Sequence, residues 1–123
     1  DEAVKVGHRI AIMRDGKVIQ IGTPEEIVMN PEDGYVADFV KGISRLEVVK
    51  AKSIMRPIDE FIKKYGAIPR DALRMAEDND LSSLIASSVS SDKPIVISSS
   101  AGKDIGVVSQ KDLLVSIVEG QDE

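Results

Sequence analysis

The apolar positions along this chain change period several times, and each change predicts an element. Residues 8–13 carry Ile10, Ala11, Ile12 and Met13 in succession, the pattern of a buried strand. Asp15-Gly16 comes next, a pair suited to a two-residue turn because both central positions favour φ > 0. Val18 to Ile21 returns as a second strand, and Gly22 ends it. Thr23-Pro24-Glu25-Glu26 then opens a helix. Thr23 is its N-cap, Pro24 takes the first helical position, and Glu26 closes a capping box three residues after the cap. Ile27, Val28 and Met29 fill that short helix, and Asn30-Pro31 stops it. A second helix is predicted over 32–41, with Tyr35, Val36, Phe39 and Val40 as its apolar stripe and Gly42 as its C-cap.

Residues 43–70 read as a connecting region with one basic helical stretch, 59–65, bracketed by Gly66 and Pro69. A second unit lies beyond it. Residues 72–76 predict a short strand, and Asn79 or Asp80 caps a helix whose buried face is Leu81, Leu84, Ile85 and Val89. The Ser-rich residues 87–91 and Pro94 break that helix. Ile95, Val96 and Ile97 form a strand, residues 98–104 a turn around Gly102, and residues 105–108 another strand. Ser109 starts a last helix with Leu113, Leu114, Ile117 and Val118 on its inner side. The order is strand–helix–strand–strand–helix, without an internal repeat.

Composition narrows what such a chain can do. It has 123 residues, 42% hydrophobic and 30% charged, which is globular and amounts to one domain or two incomplete pieces. The aromatics are Tyr35, Phe39, Phe61 and Tyr65, so the core must be aliphatic. There is no Cys, which excludes disulfides and thiolate chemistry, and the single His8 is expected to be a packed strand residue rather than a ligand. The carboxylates Glu25-Glu26 and Glu77, Asp78 and Asp80 fall at helix starts, where dipole and capping already favour acids. Met13, Met29, Met55 and Met75 are scattered and suit core filling. No apolar run approaches the ~20 residues that span a bilayer, and no signal peptide opens the chain, so a soluble cytoplasmic protein is expected. One hairpin and two helices bury too little surface to stand alone, so residues 1–42 are expected to expose Ile10, Ile12, Ile21, Val36 and Phe39. With no initiator Met, the chain reads as a piece of a longer protein.

The net charge of −5 argues against nucleic-acid binding, but it is unevenly spread. Residues 1–40 hold eight acids against four bases, and residues 75–123 nine against three. Residues 41–74 reverse the sign, with nine bases against four acids. That strip is either a solvated linker face or a face turned towards phosphate or lipid headgroups.

Specific residues carry two resemblances. Asp1-Glu2-Ala3, then residues 7–13, Asp15-Gly16-Lys17 and residues 22–27, resemble the C-terminal end of ABC-transporter ATPase subunits. Asn30-Pro31, Tyr35-Val36 and Asp38-Phe39-Val40 look most like the subgroup importing glycine betaine, proline, choline and related quaternary amines. His8 departs from the Asp more common there, and it is not the family's switch histidine. Pro94 to Ile97, followed by Gly106 to Leu114, resembles a cystathionine β-synthase (CBS) module, a regulatory appendage of some members. Its usual acidic–glycine turn is here replaced by residues 98–103. The resemblance implies an α+β chain. Residues 1–45 would be the incomplete end of the ATPase nucleotide-binding domain, 46–70 a basic linker or helix, and 71–120 a single CBS module. It implies the rest of the ABC ATPase and membrane subunits as partners, and a place at the cytoplasmic side of the inner membrane.

This stretch holds no phosphate-binding GxxxxGK loop, no LSGGQ-like signature and no apolar strand ending in Asp-Glu. It is therefore not expected to hydrolyse ATP alone, although the full-length parent would use ATP and Mg²⁺. The pattern from Gly106 through Ser109 to Asp112 resembles the nucleotide-binding signature of CBS modules. Ser109 would meet a phosphate at a helix N-terminus, Asp112 would accept from ribose hydroxyls, and Ile95 and Ile97 would flank an adenine. Lys111, with Arg70 or Arg74, would neutralise phosphate in AMP, ATP or cyclic di-AMP. Ser-x-x-Asp is equally a variant capping box that merely starts a helix. A single module is expected to pair with a second copy as a homodimer, with Ile95, Ile97 and Val107 near the contact. The alternatives are a structural dimerisation tail without ligand, and an ionic-strength sensor on an anionic membrane surface.

Overall fold

In a computed structural model, residues 2–120 are described, and they form two units, one ending at Val48 and the other beginning at Val49.

The first unit begins with a strand absent from the sequence-based expectation. β1 (Glu2–Val6) pairs antiparallel with β2 (Arg9–Arg14), which pairs antiparallel with β3 (Lys17–Gly22), giving a sheet in the order β1-β2-β3. β1 is five residues long and exposed along its whole length, so it adds nothing to a core that a sequence pattern could reveal. Asp15 and Gly16 adopt φ 53° and 77°, the left-handed pair expected of an Asp-Gly hairpin. His8 is exposed in the Gly7-His8 turn between β1 and β2, not packed in a strand.

Helix α1 (Pro24–Met29) starts as expected. The Glu26 N–H donates to Thr23 Oγ1 at 3.2 Å, and the Thr23 N–H donates to Glu26 Oε1 at 2.7 Å. Gln20 ties β3 to the segment after α1, donating from Nε2 to the Asn30 carbonyl at 2.9 Å and accepting from the Glu32 N–H at 2.7 Å. Helix α2 (Gly34–Phe39) is shorter than predicted, because the Asp33 side chain caps it by accepting from the Val36 N–H at 3.0 Å. A 3-10 turn over Val40–Gly42 and helix α3 (Arg45–Val48) complete the unit.

Ile12, Ile27, Val36 and Val40 form a buried cluster, with Ile10, Ile19, Val28, Tyr35 and Ile43 packed against it. This corrects the expectation of an exposed apolar remnant. Ile12 and Val36 are 1% and 0% exposed, whereas Ile21 and Phe39 do remain on the surface. The third strand and the two helices on one sheet face supply the cover that a lone hairpin lacks.

The second unit opens with α4 (Ala51–Ile54), β4 (Arg56–Pro57) and α5 (Ile58–Tyr65). The stretch 46–70 is thus not a plain connector, since residues 49–65 build part of this unit. Then come β5 (Arg74–Ala76), α6 (Leu81–Ser88), β6 (Ile95–Ser98), β7 (Asp104–Val108) and α7 (Gln110–Gly120). The sheet order is β4-β7-β6-β5. β6 and β7 form an antiparallel hairpin, and β5 runs parallel to β6, which requires the crossover that α6 supplies. β4 adds antiparallel to β7 at the edge, through Arg56 opposite Val107 and Pro57 opposite Gly106.

Asp80, not Asn79, caps α6, accepting from the Ser83 N–H at 2.8 Å. Leu81, Leu84, Ile95, Val96, Ile97, Val107, Val108 and Leu113 are buried. Val89 is 83% exposed because α6 ends one residue before it. On α7, Leu113 is buried and Ile117 half-buried, while Leu114 and Val118 are 63% and 65% exposed. Positions 113 and 117 share one stripe of a helix and positions 114 and 118 another about 100° round, and it is the first stripe that faces the core.

Candidate functional site

The β7–α7 junction collects the residues singled out in the sequence. β7 delivers Gly106 beside β4, Ser109 stands next as the helix cap, and Asp112 lies one turn into α7. The Asp112 N–H donates to Ser109 Oγ at 3.1 Å, and the Ser109 N–H donates to Asp112 Oδ2 at 3.1 Å. The Leu113 N–H donates to the Ser109 carbonyl at 3.1 Å, so the capping box is complete.

Asp112 has a further partner. Arg56 Nε donates to Asp112 Oδ1 at 3.1 Å and to Oδ2 at 3.3 Å, joining residues far apart in the chain. The Asp112 side chain is 11% exposed and that of Arg56 29%, so the pair is largely withdrawn from water. Charge-assisted bonds of this kind are among the stronger polar contacts in a protein. Arg56 was not among the residues that sequence reasoning assigned to the site. Its strand is two residues long, too short to show periodicity, and its charge is lost in the basic composition around it.

Gly106 also has a structural partner. A Cβ built there would fall on Met55, meeting its Sδ, its Cγ at 2.7 Å and its Cβ at 2.9 Å. The glycine is thereby what lets the end of α4 close over the strand.

The remaining sequence candidates scatter. Ile95 and Ile97 are 2% and 0% exposed, so neither presents a wall to a ligand nor a surface to a second copy; Val107 is buried likewise. They sit on the central strands, covered by their neighbours and the helices. Lys111 is exposed on α7, and Arg70 is exposed on the loop before β5. Arg74 is committed elsewhere, donating from Nε and Nη2 to Asp104 at 3.2 Å. That contact pushes the Arg74 guanidinium up and holds the Asp104 carboxyl below its ordinary value. The turn after β6 is closed by its own backbone: the Ser99 N–H donates to the Lys103 carbonyl at 2.8 Å, and Gly102 takes φ 81°. The Ser100 N–H donates to Glu77 Oε2 at 3.0 Å.

The acidic candidates have local roles. Glu26 is held low by the Thr23 N–H, and Asp80 by the Ser83 N–H. Asp78 pairs with Lys52 at 3.0 Å. Among the described residues no group of three or more His, Cys, Asp or Glu could hold a metal ion. The basic strip of 41–74 is likewise partly neutralised, since Lys41, Lys52, Arg56 and Arg74 each pair with an aspartate. Among the described residues no helix is long and apolar enough to cross a membrane.

No family model matches the chain, and no solved structure matches it. Curated proteins do. The ATP-binding protein ProV of the glycine betaine/proline betaine transport system of Salmonella typhimurium is 45% identical over 82 residues, 65% of this chain and 20% of that protein. ProV of Escherichia coli matches to the same extent. The glycine betaine transport ATP-binding protein OpuAA of Bacillus subtilis is 42% identical over 86 residues, 70% of this chain and 20% of that protein. The chain spans about a fifth of the length of the curated relatives it matches. By sequence it is a relative of the ATP-binding proteins of glycine betaine and proline betaine transport systems, matched over a portion of their length.

Proposed function

We propose that this chain is the regulatory C-terminal portion of the ATP-binding subunit of an ABC importer for glycine betaine, proline or related quaternary amines. The single observation behind this reading is the 45% identity over 82 residues to an ATP-binding protein of that transport class. Residues 2–48 then finish the ATPase domain, and residues 49–120 act as a CBS-type module that gates transport. The subunit works at the cytoplasmic face of the membrane with its membrane-embedded partners. ATP and Mg²⁺ are handled by the rest of the subunit, because the sequence here lacks a phosphate loop and the carboxylates that would hold the metal. An adenine nucleotide such as AMP, ATP or cyclic di-AMP is the effector in this reading, with Ser109 and Asp112 as its contacts.

A chimera tests it. The E. coli relative, with its matched segment replaced by that of this chain, should restore betaine uptake to cells lacking the wild-type protein. A chimera that accumulates normally and hydrolyses ATP but leaves uptake uncontrolled by osmolarity would retain the transport assignment and remove the gating. A stable chimera without uptake would remove both.

A second reading has its own observation. The Ser109–Asp112 box is satisfied within the chain, as expected of a ligand-free structural module. Such a module would pair with a second copy through the exposed Leu114, Val115 and Val118 of α7 rather than through the buried Ile95 and Ile97. The anionic-surface reading would rest on Lys63, Lys64 and Arg70, which are exposed on and after α5.

A further inference from the structure

Asp112 is the residue on which the effector reading depends, and it is covered. Its two oxygens accept from Arg56 Nε and from the Ser109 N–H, and its side chain is 11% exposed. With the carboxylate 11% exposed and the Arg56 Nε lying against both its oxygens, a ribose hydroxyl has little open access to it. Arg56 in turn stands on β4, a two-residue strand at the sheet edge. Its neighbour Pro57 has no N–H to give to β7, so the ladder holding this edge is minimal. The ion pair with α7 is therefore a principal polar tie of β4 to the rest of the unit.

We propose that Arg56 is a latch: its guanidinium closes Asp112, and a ribonucleotide gains the carboxylate only by displacing Arg56 and so loosening β4 from α7. The inference rests on the effector reading and adds the residue that regulates it. The guanidinium and the ribose hydroxyl compete for access to one nearly buried carboxylate, so the closed population lowers the apparent affinity by the fraction of molecules that are open. Displacement also converts binding into movement, because the freed strand is the one just after α4 and the tightly seated Met55.

The test uses the 123-residue chain in three forms: wild type, Arg56→Gln and Asp112→Asn, with the double variant for a thermodynamic cycle. Circular dichroism first establishes that each is folded. Calorimetry with AMP and with ATP should then show Arg56→Gln binding roughly 10- to 100-fold tighter than wild type, the span of a lost charge-assisted hydrogen bond, and Asp112→Asn binding more weakly than either. Hydrogen exchange at β4 and β7 should accelerate in wild type on saturation with nucleotide, and should already be fast in Arg56→Gln.

Equal or weaker nucleotide binding by Arg56→Gln overturns the latch while leaving the effector reading standing, with Arg56 then a ligand contact. Additive effects of the two single changes on unfolding also overturn it, since the pair would then not be coupled in solution. Clear coupling with no heat from either nucleotide in any folded variant overturns the effector reading and the latch with it, and leaves Arg56–Asp112 as a structural brace.

Discussion

Gly106→Ala separates a structural glycine from a ligand-binding one. The strand conformation there is open to any residue, and alanine in a strand recovers ~0.5–1 kcal/mol of the conformational entropy that glycine loses. Against that gain stands Met55. The new Cβ would meet its Sδ, and its Cγ and Cβ at 2.7 and 2.9 Å, all under the closest approach that real Cβ atoms show. The Sδ and Cγ can swing away, but the Met55 Cβ is fixed to the backbone that ends α4. Backbone must therefore shift, and inserting a carbon into a packed site costs ~1–3 kcal/mol. The net is a destabilisation of ~0–2.5 kcal/mol, about 1 at the midpoints, at roughly 4–8 °C per kcal/mol for a unit of this size. Urea unfolding followed by circular dichroism reads the free energy, and a thermal melt reads the midpoint. Met55→Gly removes the Cβ contact together with those of Sδ and Cγ, so the double variant should lose less than the sum of the singles, by ~1 kcal/mol. A Gly106→Ala protein as stable as wild type, with strictly additive effects, would refute the reasoning. The glycine would then need another explanation, such as the close approach of a ligand to the strand.

Thr23→Ala should cost about 1 kcal/mol of stability in the first unit by removing the N-cap, measurable by urea unfolding, with Thr23→Ser near wild type. Acid should weaken the same corner: the Thr23 N–H holds the Glu26 carboxyl below its ordinary value of 4.5, so the contribution is present above 4.5 and lost as pH falls through the lowered folded value. Stability of the first unit that did not decline in that window, or declined equally in Glu26→Gln, would count against the contact. Leu84→Ala should destabilise the second unit by ~2–5 kcal/mol, because the side chain is fully buried between α6 and the sheet. Leu114→Glu combined with Val118→Lys should leave the melting curve nearly unchanged, since both positions are mostly exposed, yet abolish any self-association seen by sedimentation. Dimers that survive the pair would move the contact away from α7.

Local chemistry was legible in the sequence wherever a few adjacent residues decide a conformation. Asp15-Gly16 dictated a left-handed hairpin, Thr23 with Glu26 a capping box, Asp80 a helix start, and Ser109 with Asp112 another, because each depends on contacts within three residues. The continuous apolar runs at 10–13 and 95–97 likewise marked buried strands, since both sheet faces there must be apolar. Contacts between distant residues were not legible. β1 is five residues long and exposed throughout, too brief for the alternation of Val4, Lys5 and Val6 to mark it, and it becomes a strand by pairing with β2. The stretch 46–70 resembled a basic connector, yet Arg56 is drawn into the sheet by Val107 across the ladder and by Asp112 on α7. Which α7 residues face inward depended on the rotation at which the helix lands on the sheet, so Leu113 is buried and Leu114 is not. Periodicity names the available stripes of a helix, and packing against a particular neighbour selects one. For the candidate site the division is the same: the signature residues could be read in order along the chain, but only the tertiary structure brought Arg56 onto Asp112 and Met55 onto Gly106.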